Sequence, residues 1–233
     1  MKKERISRDR ITDLPVELLH HITSPLPFKS IVQTSLLSKR WNRLRLWRSH
    51  PHLDFSLLSA HSGAGNFLPE VLSCRPPDSN ITTFRLSGCL SAACLQVCVD
   101  RVMNQRIEQI ELDVDTDCRF ELPPSLFNCN TLGVLKLNMG VKLNISRYRG
   151  FGLPSPVLFP AVHTLSLTRL CSVWGWSDLF SPSNFSLLRK LCLKDCRGTY
   201  DLNINFPGLE ILELDGLRLR GLDILALGYW SYK

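Results

Sequence analysis

The sequence predicts an α/β fold in two parts: a small all-α block of three short helices, then a solenoid of repeats whose strands form a curved parallel sheet. Three observations predict it. Residues 9–55 carry three apolar stripes at helical spacing, separated by prolines and serines. Six later segments share the spacing apolar-x-x-apolar-x-Leu, and their last leucines lie 26, 25, 30, 26 and 21 residues apart. Charge divides at the same place: residues 1–50 hold 11 Lys/Arg against 4 Asp/Glu, and the remaining 183 residues hold 17 of each.

Composition narrows the function classes. The chain has 233 residues, 44% hydrophobic and 21% charged, enough for a substantial core. It contains no run of about 18 apolar residues, and no apolar stretch follows MKKERISRDR. Neither a membrane span nor a secretory signal is therefore expected, and the cytoplasm, the nucleus or both are the expected location. Nine cysteines are scattered without a CxxC pair, and Cys94/Cys98 and Cys192/Cys196 lack partner pairs that could close a tetrahedron around zinc. Reduced thiols acting as small apolar residues are expected, with no metal and no cofactor. The six histidines are not at ligand or triad spacing, and no G-x-S-x-G, H-E-x-x-H or phosphate-cradling glycine loop occurs, so the expectation is a protein that is not an enzyme.

The elements follow in order. Residues 1–8 form a basic tail. The first helix is expected to open at Asp13, an N-cap candidate with Pro15 in the first turn, and to carry Leu14, Leu18, Leu19 and Ile22. Pro25 and Pro27 stop it, because proline lacks the amide and biases its predecessor away from helix. The second helix carries Phe28, Ile31, Val32 and Leu36. Ser38 opens the third, with Trp41, Leu44 and Trp47 among Lys39, Arg40, Arg43 and Arg45. Leu19, Leu37 and Leu44 are expected inside; adjacent His20 and His21 point to different faces and are read as rim residues. So small a block leaves apolar surface for a partner, and apolar anchors ringed by cations suit a groove on an acidic protein.

From Asp9 to Phe55 the block resembles the F-box of plant F-box/leucine-rich-repeat proteins. The resemblance is carried by Leu14-Pro15, Leu18, Ile22, Leu26-Pro27, the Val32 helix, Leu37-Ser38-Lys39-Arg40-Trp41 and Leu53-Asp54-Phe55. It implies docking on a Skp-type adaptor, and through it on a cullin-RING ligase, by Leu14, Pro15, Leu18, Ile22, Leu26, Pro27, Ile31, Val32 and Trp41. One departure is visible: Thr23-Ser24-Pro25 interrupts the apolar run of the first helix before the Leu-Pro pair.

Residues 56–79 read as a connection, with Ser, Gly and Pro clusters around a short helix near Phe67 to Leu72. Residues 80–233 hold about six repeats: Ile81/Phe84/Leu86, Ile107/Ile110/Leu112, Leu132/Leu135/Leu137, Val162/Leu165/Leu167, Leu188/Leu191/Leu193 and Leu209/Leu212/Leu214. A period of about 20–29 residues with this spacing is the leucine-rich-repeat signature. Alternation along each strand buries the leucines and turns the residues between them to the concave face. That rule selects Arg85, Glu111, Lys136, Ser166, Cys192 and Glu213, and a second row including Asp113, Asn138, Thr168 and Lys194, as candidate contacts for an unknown target protein; exposed strand positions are polar in any case. Their mixed signs do not favour nucleic acid, which calls for a contiguous basic or aromatic stripe.

Arg147-Tyr148-Arg149 with Phe151 and the Trp174/Trp176 pair read as ordinary loop and packing residues, and Asn80 and Asn144 as glycosylation acceptor patterns left unmodified. After Leu214 the chain stays apolar, so an uncapped or shortened array is expected; the resemblance implies more repeats and a C-terminal FBD domain, and neither is visible. Two functions follow. The first is the substrate-recognition subunit of a Skp/cullin/F-box ubiquitin ligase. The alternative is a scaffold or truncated receptor that binds the adaptor without delivering a target.

Overall fold

The three helices form where the prolines allow them. In the computed structural model, which describes residues 11, 13–56, 67–76, 79–118, 120, 122–127, 129–141, 158–170, 179–197, 201–225 and 229–232, α1 spans Val16–Thr23. Its N-cap is Pro15, in extended backbone with ψ 149° and no side-chain cap. Asp13, expected as the cap, lies two residues upstream, because the proline's fixed φ defines the helix entry. Thr23 closes α1 by donating its hydroxyl to the Leu19 carbonyl at 2.8 Å. Pro27 precedes α2 (Phe28–Thr34). Ser38 caps α3 (Lys39–Leu44), accepting from the Trp41 amide at 3.3 Å, and Arg45 ends it in the left-handed region at φ 45°. A 3-10 turn over Leu46–Ser49 follows.

Leu19, Ile31, Trp41 and Leu46 make a small core of their own, edged by Leu14, Val16, Leu44 and Trp47. Leu37, expected inside, is 70% exposed. α2 ends at Thr34, so Leu37 sits in the following turn and loses the helical register that would have aimed it inward.

The sheet starts inside the block that reads as helical. β1 (His52–Phe55) pairs in parallel with β2 (Thr83–Leu90), which continues through β3 (Gln109–Thr116), β4 (Val134–Val141), β5 (Thr164–Thr168), β6 (Lys190–Lys194), β8 (Ile211–Asp215) and β10 (Tyr229–Tyr232). Every pairing is parallel. The six strands read from the repeat spacing are β2 to β6 and β8. Beyond them, β1 extends the sheet at one edge and β10 at the other, past the point where the repeat pattern stops. A separate two-stranded sheet joins β7 (Asp201–Asn205) to β9 (Gly221–Leu225).

A repeated backbone device sets the register. The carbonyl before each strand accepts the first two amides of the next repeat: Thr82 from Glu108 and Gln109, Glu108 from Gly133 and Val134, Gly133 from His163 and Thr164, His163 from Arg189 and Lys190, and Arg189 from Glu210 and Ile211, all between 2.7 and 3.1 Å. The Pro51 carbonyl does the same for Thr82 and Thr83, so the helical block is stitched to the array as if it were a preceding repeat.

Behind the strands lies one continuous core from Phe28 to Leu217. Phe127, Phe159, Phe185 and Phe206 run through the return segments, with successive ring centroids 5.3, 4.9 and 6.2 Å apart. The return segment between β2 and β3 forms α5 (Ala92–Met103), capped by Ser91 and burying Leu95, Cys98, Val99 and Val102. α4 (Leu68–Ser73) falls where a helix is expected, and α6 (Pro124–Phe127) is a single turn. Burial pushes the Cys98 and Cys196 thiols up to about 12, as for small apolar residues. The basic tail, Cys171, Asn144-Ile145-Ser146, Arg147 to Phe151, Trp174 and Trp176 lie outside the described residues.

Candidate functional site

Two surfaces and the seam between them hold the residues with functional potential. The helical surface is apolar. Leu18 and Ile22, one turn apart on α1, are each 49% exposed, Val32 on α2 is 40% exposed, and Leu26 in the intervening turn is 38% exposed. Pro15 and Pro27 are exposed beside them and Leu14 is half-buried. Leu36 and Leu37 extend the apolar area past α2, and neither was singled out for it from the sequence. Ile31 and Trp41 stand apart from this group: both are buried, and they carry the outward residues from within. Arg40 is tied down by donating to the Leu14 carbonyl at 2.6 Å, which holds the start of α1 against α3.

The second surface is the open face of the sheet. Parallel register lines up Arg85, Glu111, Lys136, Ser166, Cys192 and Glu213 in one row, and Ser87, Asp113, Asn138, Thr168, Lys194 and Asp215 in the next. Strand alternation thus places every candidate from the repeats on one face. The charges neutralise one another there. Glu111 accepts from Lys136 Nζ at 2.7 Å and lies 3.2 Å from Arg85 Nε, while Arg85 also reaches Asp54 at 4.0 Å. At the other end Lys190 meets Glu213 at 2.9 Å and Lys194 meets Asp215 at 3.2 Å. Burial acts to raise the Glu111 carboxyl, but hydrogen bonds from Lys136 and Gln109, with the charges of Lys136 and Arg85, carry it below the usual range. Burial raises the half-buried Cys192 thiol.

Arg169 is the member of this face that the repeat pattern does not reveal. It follows β5 in the left-handed region at φ 58° and reaches back across two strands, donating to Asn138 Oδ1 at 2.6 Å and Asp115 Oδ1 at 3.0 Å, with Asp113 Oδ1 at 3.4 Å. Gly140 leaves room for it, since a side-chain carbon there would collide with Asp115 and Arg169. Between the two charged ends Ser166, Thr168 and Cys192 form a neutral stretch of short side chains.

The seam is held by Arg75, buried at 9% exposure. Its guanidinium donates to the Trp47 carbonyl at 3.2 Å, the His50 carbonyl at 2.9 Å and the Asn80 carbonyl at 3.5 Å. Arg48 donates through Nε to the Cys74 carbonyl. Burial, then the neighbouring His52 and Arg75, pushes His50 down to about 4. No group of three or more metal-binding side chains occurs among the described residues, and no described helix is long and apolar enough to cross a membrane.

Such geometry defines a repeat protein with two distinct surfaces, one helical and apolar, the other polar and carried by a parallel sheet. An F-box-like family model matches residues 11–50. An F-box/LRR-repeat protein of Arabidopsis thaliana is 31% identical over 246 residues, covering 91% of this chain and 77% of that protein. A putative F-box/FBD/LRR-repeat protein of the same plant is 32% identical over 228 residues, covering 93% of this chain and 44% of that protein, and an FBD-associated F-box protein is 28% identical over 246 residues, covering 94% and 55%. No solved structure matches. The chain belongs to the F-box/LRR-repeat family. It spans between 34% and 55% of the length of five of the curated relatives it matches.

Proposed function

We propose that this chain is a substrate-recognition subunit of a Skp/cullin/F-box ubiquitin ligase, acting in the cytoplasm, the nucleus or both. One observation carries the reading: the segment that matches an F-box-like domain, residues 11–50, is also the one that leaves apolar side chains facing out from short helices. Leu14, Pro15, Leu18, Ile22, Leu26, Pro27 and Val32 dock on a Skp-type adaptor, and Ile31 and Trp41 hold those positions from the core. Exposed leucine and isoleucine anchors supply affinity in an adaptor groove, and the surrounding cations raise the association rate. The open face of the sheet, with Arg85, Glu111, Asp113, Lys136, Asn138, Ser166, Thr168, Cys192, Lys194 and Glu213, receives the target protein.

Under this reading the chain catalyses nothing itself. It raises the effective concentration of target lysines beside a ubiquitin donor held by the cullin-RING part of the assembly. Binding of the purified chain to a plant Skp-type adaptor, measured by calorimetry, tests it. The expected result is a tight complex that the Leu18→Ala/Ile22→Ala variant loses and Glu111→Ala keeps. No complex with the folded wild-type chain would overturn the ligase reading.

A further inference from the structure

We infer that Arg75 is a positioning residue that sets the orientation of the helical face relative to the open face of the repeat sheet. The functional importance of that orientation rests on the ligase reading above; the seam geometry does not.

The residues at the seam are arranged for this. One guanidinium reaches carbonyls on both sides: Trp47 and His50, where the chain leaves the helices, and Asn80, where it enters the first repeat. Burial lowers the Arg75 pKa to about 10, so the group stays cationic at neutral pH. No carboxylate among the described residues pairs with it, and Arg75 Nε and His50 Nε2 are both buried without a partner among the described residues. Among the described residues this buried cation is held by backbone carbonyls, a costly arrangement, and its planar fork is what lets it span three of them at once. A lysine ammonium on a flexible stem offers no such planar fork.

Further contacts give the fork something to aim. Arg48 donates to the Cys74 carbonyl next to Arg75. Phe28 of α2 packs edge-on against Phe55 of β1 at 5.1 Å, and Phe55 against Phe84 of β2 at 6.1 Å. The Pro51 carbonyl, which accepts the Thr82 and Thr83 amides, and the edge-on phenylalanine contacts fix the β1 side of the seam. Arg75 fixes its other side, tying the turn at Trp47 and His50 to the chain that enters the first repeat, so that the angle is set from both sides. In a molecule that must present a bound target to a donor held by other subunits, a fixed angle confines which target lysines are reached.

The test is a distance distribution between spin labels carried on keto amino acids at Glu17 of α1 and Ser186 beside β6, both exposed, a chemistry that leaves the cysteines in place. It is measured on the full chain as wild type, Arg75→Met and Arg75→Lys. The expected result is a narrow wild-type distribution and one roughly twofold broader in both variants, with circular dichroism and adaptor binding unchanged. A residue that merely stabilised the chain would lower the melting temperature and leave the width alone. Unchanged width in the folded variants would overturn the inference. Loss of the folded state in both would overturn it as well, since Arg75 would then fold the chain rather than aim it. If the wild-type chain binds no adaptor while the variants broaden, the ligase reading fails and the inference stands.

Discussion

The helical block and the repeat array use leucine in opposite ways. In α1 the neighbours Leu18 and Leu19 divide, the first 49% exposed and the second fully buried, and among the described residues Leu19, Ile31, Trp41 and Leu46 make up the block's own buried core. In the array nearly every leucine of the strand pattern is buried, and one core runs without a break through all the repeats. Leucines that face outward leave the block few for a core of its own. β1 and the Pro51 carbonyl join it to the array as the first layer of the solenoid.

The comparison breaks most sharply at the phenylalanine run. Phe185 contacts Phe159, Phe180 and Phe206, so Phe185→Ala should lower stability by about 3–5 kcal/mol in chemical denaturation. Because the repeats share one core, that loss should lower the midpoint seen by helical and sheet probes together. Separate transitions would show that the block folds independently of the array.

Leu19→Ala comes next, at about 2–5 kcal/mol, and should abolish adaptor binding by collapsing the small core. Its neighbour sharpens the point: Leu18→Ala should cost under about 0.5 kcal/mol of stability and still lose the adaptor. Equal stability losses in the two variants would mean that the exposed stripe is not free surface.

Acid should strain the seam before the ladder of ion pairs on the open face of the sheet. His50 is held down to about 4 against its ordinary 6.5, so between these values the unfolded chain binds a proton that the folded chain refuses. Stability is full above pH 6.5 and falls by up to about 3 kcal/mol as pH drops to 4, which denaturation midpoints at pH 7, 5.5 and 4 would read. His50→Gln should flatten that slope. Glu111, whose folded carboxyl is lowered, acts in the same direction only at more acid pH, as protonation begins to cost it Lys136 and Arg85.

The smallest effect is expected on the ladder. Glu111→Gln removes two ion pairs between a half-buried carboxylate and exposed cations and should change stability by under about 1 kcal/mol, less at high salt. A larger loss would mark the ladder as part of the scaffold rather than a contact face.

The sequence by itself determined the elements whose signal is local. Prolines and Ser38 bound the helices, and the apolar-x-x-apolar-x-Leu spacing located β2 to β6 and β8 because a strand alternates every second residue. The same period placed the rows Arg85 to Glu213 and Asp113 to Lys194 on one face, since parallel register only had to stack them. A phenylalanine three residues before each of Val162, Leu188 and Leu209 was also there to be read.

The tertiary structure decided what depends on residues far apart in the chain. His52–Phe55 is too short to alternate convincingly, and it is a strand because β2 lies beside it. Leu37 points out because α2 ended, not because its position in the stripe changed. Arg169 joins Asp115 from 54 residues away through a left-handed turn that no propensity assigns to arginine, and Arg75 finds His50 from 25 residues away. Local periodicity fixes which way a side chain points; only packing brings the ends of such long loops together, because their closure entropy is recovered from contacts that exist solely in the folded chain.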